Sequence, residues 1–538
     1  MPSPQACSPA EAAGREWDAI VIGTGIGGGT AGRRLAEQGL SVLFVEKGPA
    51  GLDGEEQFLS TELEDPLARE VRGLWPKPVI AELDGQEMRF FGAIGSGVGG
   101  TSRFYAATLE RPERHDLDHS TERPHPTGGW PVGYDAMRPY FGMAERFYEV
   151  CGEPDPLCVE DDAALRRPPP LSDDDREMVE SFRRNGLHPY HVHMGVRFVP
   201  GCKPCFGHKC PRRCKLDGAT AGVEPALATG NARLLDRCEI AAIRGTRYAV
   251  THLEAASGGQ RFLLRAKTYV LAAGALGSPR LLLASRGKAW PDGFGNRNGL
   301  VGRNLMFHLT EMVAVWPAKG SRSNGPSKAL ALRDFYFRDK RRFGAFQAIG
   351  VDASYGTIVH YLNTVFDRSP LRRMRALRQF TRVPAYIASI LFGRAKVFAG
   401  ILEDLPYPDN RVLLDPDDPE RIRFSYTHAP EMHERRRRYR RVVRQGLHGH
   451  RTVFLTLQPD LNLAHCCGTL RFGADPATSV LDPECRPHGV SNLHVADASF
   501  MPTSLGINPS LTIAANALRV ADAILLRSRT AAETAVEA

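Results

Sequence analysis

The chain has 538 residues, 42% of them hydrophobic and 24% charged. That is too long for one core, so two or three domains are expected, and the composition excludes a mostly disordered, collagen-like or heptad-repeat chain. The net charge of +8, from 69 basic and 61 acidic residues, is mild at this size, and nothing in it points to nucleic acid.

Residues 1–15 form a polar lead with no apolar core or small-residue cleavage pattern, which predicts a cytoplasmic protein unless it is exported on a partner. Trp17-Asp18-Ala19-Ile20-Val21-Ile22 then reads as a buried parallel strand. It runs into Gly23-Thr24-Gly25-Ile26-Gly27-Gly28, a helical stretch from Thr30 to Gln38, and a second strand from Ser41 to Glu46. Strand, glycine turn, helix and a strand ending in an acid make a βαβ unit of about thirty residues, the dinucleotide-binding pattern. Gly23 permits the tight turn, Gly25 lets backbone approach a pyrophosphate, and Gly28 lets helix and strand pack closely. The helix N-terminus offers free N–H groups to phosphate. Glu46, placed to accept from a ribose diol, repels a 2′-phosphate and argues against NADP.

The middle of the chain, from about Glu311 to Leu463, alternates in short segments and predicts a separate antiparallel sheet with helices. Its basic excess sits in Arg368–Arg382 and Arg435–Arg444. The second run could grip a phosphate backbone or an anionic membrane, but Met432, Tyr439, Val442 and Val443 give it an apolar stripe, so a solvated helix face is the expected role. The longest apolar run, Pro384–Phe392, is half a bilayer at best, and no transmembrane segment is expected. Near the C-terminus a strand over Asn492–Ala496 and a helix over Pro509–Leu526 are predicted, with Asn508 as N-cap and Pro509 as first helical residue.

Eleven cysteines are many for a cytosolic chain and odd in number for a disulfide framework. Four are clustered, as Cys202-x₂-Cys205-x₄-Cys210-x₃-Cys214. Thiolates this close suit an iron–sulfur cluster or zinc, and the remaining reading is buried thiols or a disulfide pair.

Several segments resemble, in order, the glucose-methanol-choline oxidoreductase family. Gly97-Val98-Gly99-Gly100-Thr101-Ser102 is similar to its first signature, and Trp130-Pro131 with Tyr134 and Pro139-Tyr140-Phe141 to its WP…Y…PYY segment. Val270–Gly274 with Ser278-Pro279-Arg280-Leu281-Leu282 resembles the second signature, and Pro406–Asp415 the PxxNRVxLD strand. His465, in Ala464-His465-Cys466-Cys467-Gly468-Thr469, and Asn508, in Gly506-Ile507-Asn508-Pro509, match the two catalytic positions. Two departures stand out. Phe104 and Tyr105 replace the aliphatic residue and Asn or His that end the first signature, and Ser285-Arg286-Gly287 replaces the SGxG close of the second.

The resemblance implies an α/β fold, with a Rossmann-type FAD-binding domain interleaved with an antiparallel-sheet substrate domain. The expected segments are 16–112, 201–310 and 465–527 for FAD, 113–200 and 311–464 for substrate, and flexible termini over 1–15 and 528–538. It further implies oxidation of a CH–OH group of a small-molecule alcohol, with His465 as base and Asn508 holding the hydroxyl. Gly23, Gly25, Gly28, Glu46, Gly97, Gly99, Gly100, Ser102, Ala273, Asp497, Asn508 and Pro509 would hold FAD. Within the family, Cys205, Cys210 and Cys214 look like the three-iron cluster segment of bacterial glucose and fructose dehydrogenases. Cys202 would be a fourth ligand or a neighbour, zinc is the second choice of metal, and an electron-acceptor protein would be a partner. The other outcomes of this reading are a hydroxynitrile-type lyase on the same fold and a non-catalytic electron-relay flavoprotein.

Overall fold

The computed structural model describes residues 7–50, 65–160, 162–200, 202, 209–317, 327–350, 355–367, 369–392, 395–459 and 461–537. The apolar run after the lead forms the strand Glu16–Ile22, almost wholly buried because it has a parallel neighbour on each side. On one side lies Val42–Val45, itself parallel to Ala232–Leu235, and on the other Gln260–Leu271, parallel to Leu493–Val495. The first half of the long strand Gln260–Leu271 continues as an antiparallel meander with Val250–Ser257 and Glu239–Gly245, completing a seven-stranded sheet.

A second, six-stranded antiparallel sheet runs in the order Thr452–Phe454, Leu309–Val315, Lys396–Leu402, Phe346–Ala348, Leu330–Leu332, Tyr190–His191. Its core packs under the helix Pro430–Gly446, where Met432, Tyr439 and Val443 are buried as the sequence pattern predicts. The arginine run on that helix is anchored. Arg436 and Arg440 both bond the buried carboxylate of Glu311, the latter at 2.7 Å. A four-stranded sheet joins Arg411–Leu414 and Ile422–Tyr426 to the hairpin Val79–Leu83/Gln86–Phe90, so distant parts of the chain share one sheet.

Three elements differ from the sequence pattern. The helix after the first strand spans Ile26–Glu37, four residues ahead of the expected start, because its glycine-rich opening is part of the helix itself. The last helix runs Ser510–Glu537, past the expected end at Leu526, through an Ala- and Glu-rich stretch of strong helix formers. The lead contains a short helix, Pro9–Ala13, capped by Ser8, and the Cys7 N–H donates to the Leu234 carbonyl at 2.8 Å. Among the described residues no helix is long and apolar enough to cross a membrane.

The helix Ile26–Glu37 packs against the last helix and against a π-helical turn at Gly218–Val223. A Cβ on Gly29 would lie 2.4 Å from the Gly218 carbonyl oxygen, so this contact is backbone against backbone. Gly29→Ala is therefore expected to cost about 1–3 kcal/mol through overpacking, seen as a lower Tm of the protein in thermal melts. Gly287→Ala, where a Cβ meets nothing within 4 Å, is the matched control and should leave Tm unchanged.

Candidate active site

The carboxyl ends of the parallel strands open onto a cavity of 2280 Å³ whose far wall is the six-stranded sheet. Ligand crevices of doubly wound sheets lie at such strand ends. Pockets for drug-sized ligands run to about 1000 Å³, so this space has room for a dinucleotide and a second molecule together.

The glycine turn forms one end. Gly23, Gly25 and Gly27 line the cavity, and a Cβ on Gly25 would meet nothing within 4 Å, leaving open space for close backbone approach. Gly25 caps the helix Ile26–Glu37 without a side-chain bond, so the helix end presents its N–H groups to an anion. Glu46 sits beside this turn, accepting from the Thr24 N–H at 3.1 Å, the Thr24 hydroxyl at 2.5 Å and the Gly48 N–H at 3.2 Å. Burial pushes its carboxyl above the usual range while these bonds pull it back. The Thr24 hydroxyl in turn accepts from the Gly99 N–H at 3.0 Å, linking acid, glycine turn and the 97–102 loop in one hydrogen-bonded chain.

Gly100, Ser102, Ala273, Asp497, Asn508 and Pro509 also line the cavity. Gly28, Gly97 and Gly99 are behind its wall, where Gly28 allows close packing: a Cβ there would lie 2.0 Å from the Gly23 carbonyl oxygen. Asp497 accepts from the N–H groups of Gly274 and Ser499, both at 2.9 Å, and from the hydroxyls of Ser278 and Ser499. It thereby ties the last parallel strand to the turn after Gln260–Leu271. Open backbone at Gly25, an exposed helix end and an acid at the second strand together fit the pyrophosphate and ribose of FAD.

At the opposite end His465 lines the cavity, and its Nδ1 lies 2.8 Å from Nδ1 of His308. His308 is fully buried, and burial lowers its pKa to about 4, so it is neutral near pH 7. Its Nε2 is 3.0 Å from the carbonyl oxygens of both Ser504 and Leu505. Carbonyls only accept, so His308 Nε2 carries the proton and its Nδ1 is bare. His465 must then donate from Nδ1, which leaves its Nε2 lone pair available to the cavity. Burial, followed by the nearby His308 and Lys328, holds the His465 pKa well below 6.5. The ring is therefore a neutral proton acceptor at pH 7.

Asn508 does not cap the final helix. That helix starts at Ser510, and the Ile513 N–H donates to the Pro509 carbonyl at 2.9 Å, which makes Pro509 the residue at the cap. The Asn508 Oδ1 is buried without a hydrogen-bond partner on the cavity wall. Thr108 Oγ1, Thr310 Oγ1 and Gln347 Oε1 are in the same condition on the same cavity. Buried polar atoms are rarely left so, and four around one space suit a ligand with several polar groups.

Sequence reasoning missed His308, Lys328, Thr310 and Gln347, which no local motif marks. Lys328 is buried, donates to the Ala106 carbonyl at 2.6 Å, and has its pKa lowered by burial to about 7. Tyr105, which also lines the cavity, is committed elsewhere: its hydroxyl donates to the Leu216 carbonyl, and burial raises its pKa far above 10.

Of the cysteine cluster, Cys205 lies outside the described residues. Cys210 and Cys214 Sγ atoms are 3.6 Å apart, and Cys202 adds to the upward push on Cys214, whose pKa rises chiefly through burial to about 12. Among the described residues no group of three or more His, Cys, Asp or Glu side chains is arranged to hold a metal. The loop nonetheless backs onto the cavity, because Lys215 Nζ donates to the Tyr105 carbonyl at 2.9 Å and Tyr105 is a lining residue.

The proximity of a cation to His465 gives a direct test. Replacing Lys328 with Met removes a positive charge that disfavours the imidazolium. In an NMR titration of the histidine rings, His465 should protonate at higher pH in Lys328→Met than in the parent protein, and an unchanged midpoint would remove Lys328 from its electrostatics.

Three comparisons bear on this arrangement. Over 95% of its length the chain is 30% identical to paromamine 6′-oxidase of Streptomyces fradiae, covering 91% of that protein. It is 26% identical over 94% of its length to the fructose dehydrogenase large subunit of Gluconobacter japonicus, covering 97% of it. The crystal structure of pyridoxine 4-oxidase from Mesorbium loti superposes with a TM-score of 0.63 at 20% identity, covering 94% of this chain and 99% of that one. Family models described as GMC oxidoreductase match residues 17–310 and 406–517. With these matches across both halves of the molecule, the chain belongs to the GMC oxidoreductase family.

Proposed function

We propose that the protein is an FAD-dependent oxidoreductase that converts a CH–OH group of a sugar, polyol or natural-product alcohol to a carbonyl. The observation that carries this reading is the fixed tautomer of His465, whose Nε2 lone pair is left available to the cavity. Oxidation removes a hydride from carbon and a proton from oxygen, and FAD, when bound, supplies the two-electron acceptor. His465 Nε2 takes the proton. The Asn508 amide, which has no partner at Oδ1, orients the hydroxyl. Thr108, Thr310 and Gln347 then offer hydrogen bonds to further polar groups of the alcohol, in keeping with a relative named as a 2-methyl-1,2-propanediol dehydrogenase.

Proton uptake by His465 also sets the pH response. The base must be neutral, so activity is level above its depressed pKa and falls as pH drops through it. His465→Ala should retain FAD and lose about 10²-fold or more of the anaerobic flavin-reduction rate. Asn508→Ala should lose up to about 3 kcal/mol of barrier stabilisation. A protein that binds FAD but never bleaches with any alcohol would indicate the lyase reading instead.

Electron exit is the finer part of the proposal. Cys205, Cys210 and Cys214, with Cys202, would hold an iron–sulfur cluster, which passes single electrons onward when present. Support comes from the close Cys210–Cys214 pair, the loop's position behind Tyr105 and the 26% identity to a fructose dehydrogenase subunit. Thiols with raised pKa values ionise when a cation binds them. Metal analysis of anaerobically purified protein should find iron, and Cys214→Ser should slow reduction of a one-electron dye more than reduction of the flavin. Zinc in place of iron, or neither metal, would overturn the cluster assignment and leave a conventional flavin oxidase.

A further inference from the structure

Between residues 368 and 392 the sequence carries six arginines and no acidic residue. The same stretch holds an unusual surface. Eight of the nineteen exposed large apolar side chains among the described residues fall between Leu371 and Leu391, each 51% to 67% exposed. Five of them, Val383, Tyr386, Ile387, Ile390 and Leu391, lie on the helix Arg382–Phe392 at spacings i, i+3, i+4, i+7 and i+8. This periodicity normally marks the face turned to a core. Here that face is open to solvent, while Pro384, Ala388 and Phe392 on the same helix line the cavity. The preceding helix Tyr355–Asp367 packs against it and lines the cavity through Ile358, Val359, Leu362 and Val365.

We propose that the helical segment 370–392 docks on an anionic lipid surface, setting the outer part of the cavity against the bilayer. An apolar stripe with arginines around it and no acid is the signature of a helix that lies in the membrane interface. Arg373 and Arg382 are exposed, the latter also lining the cavity, and both can meet lipid phosphates while the apolar side chains enter the acyl boundary. A second copy of this chain is a poor occupant, because a symmetric pairing of this face sets its exposed arginines, Arg373 and Arg382, against those of the other copy. No helix of the described residues can span the bilayer, so the attachment is peripheral and reversible. Helix Arg382–Phe392 then serves two media at once, lipid on its outer stripe and the cavity on its inner one. Docking rests on this surface alone and is independent of which alcohol is oxidised.

The test uses the flavin-loaded full chain with phosphatidylcholine vesicles and with vesicles containing about one third phosphatidylglycerol. Co-sedimentation with the anionic vesicles is expected to exceed that with neutral ones by about tenfold and to fall steeply with added salt. The double variant Ile387→Asp/Ile390→Asp, outside the cavity lining, should lose that binding by about tenfold while keeping the Tm and the turnover of a water-soluble alcohol. Absence of wild-type binding to anionic vesicles overturns the proposal whether or not the variant folds. Binding that survives in a folded variant also overturns it, and assigns the contact to the basic helix Pro430–Gly446 instead. Light scattering that shows a wild-type dimer and a variant monomer, with no vesicle binding, assigns the surface to self-association.

Discussion

Backbone-to-backbone contact at the start of the helix Ile26–Glu37 is the constraint on which the rest of the structure depends. Added Cβ atoms on Gly27, Gly28 and Gly29 would lie 1.9, 2.0 and 2.4 Å from the carbonyl oxygens of Ala496, Gly23 and Gly218. One helical turn thus touches its own preceding turn and two separate stretches of chain. The contact at Ala496 fixes the loop that leads to Asn508, and the contact at Gly218 fixes the turn that follows the cysteine loop. Side chains at these positions would hold both away from the glycine turn. The same helix end also presents the unbonded N–H groups of the phosphate site, so cofactor site, acid–base end and cysteine loop are positioned from one place.

Hydrogen-bond direction does at the other end of the cavity what close packing does here. The carbonyls of Ser504 and Leu505 can only accept, and burial keeps His308 neutral. From those two facts the proton positions on His308 and His465 follow in sequence. An imidazole free to choose its tautomer would present its lone pair to the cavity only part of the time. The carbonyls remove that choice, and the depressed pKa of His465 keeps the lone pair bare at neutral pH. Ser504 also bonds the Asp404 backbone, its hydroxyl accepting from the Asp404 N–H at 2.7 Å, so the carbonyls that set the tautomer are held by the segment that follows the strand Lys396–Leu402.

What was legible in the sequence is local and periodic. The strand Glu16–Ile22, the glycine turn and the acid after the second strand are written in one continuous stretch, and the structure keeps their order while starting the helix inside the glycine run. His465 and Asn508 were recognisable because short motifs surround them. His308 was not, since it meets His465 across 157 residues of chain and no spacing announces the contact. Asn508 shows the opposite limit. An Asn-Pro pair before an apolar helix is a good local cap signal, but tertiary packing moved the cap to Pro509 and left the amide facing the cavity. Local rules that fail in this way are expected at functional positions.

The two arginine runs make the same point about charge. Both are rich in arginine, and the sequence pattern marks the second as a solvated helix face. The run within Pro430–Gly446 is anchored from beneath, because the buried Glu311 carboxylate receives Arg436 and Arg440 and the apolar stripe of that helix is covered by the six-stranded sheet. Within 368–392 there is no acid, Arg378 reaches back to Asp367 just outside it, and the apolar stripe faces outward. A charge run therefore acquires its meaning from what lies opposite the apolar face it accompanies. Where that is the protein's own sheet, arginines bond a carboxylate buried within it. Where it is solvent, burying the stripe requires a medium from outside the chain, and the arginines select one that is negatively charged.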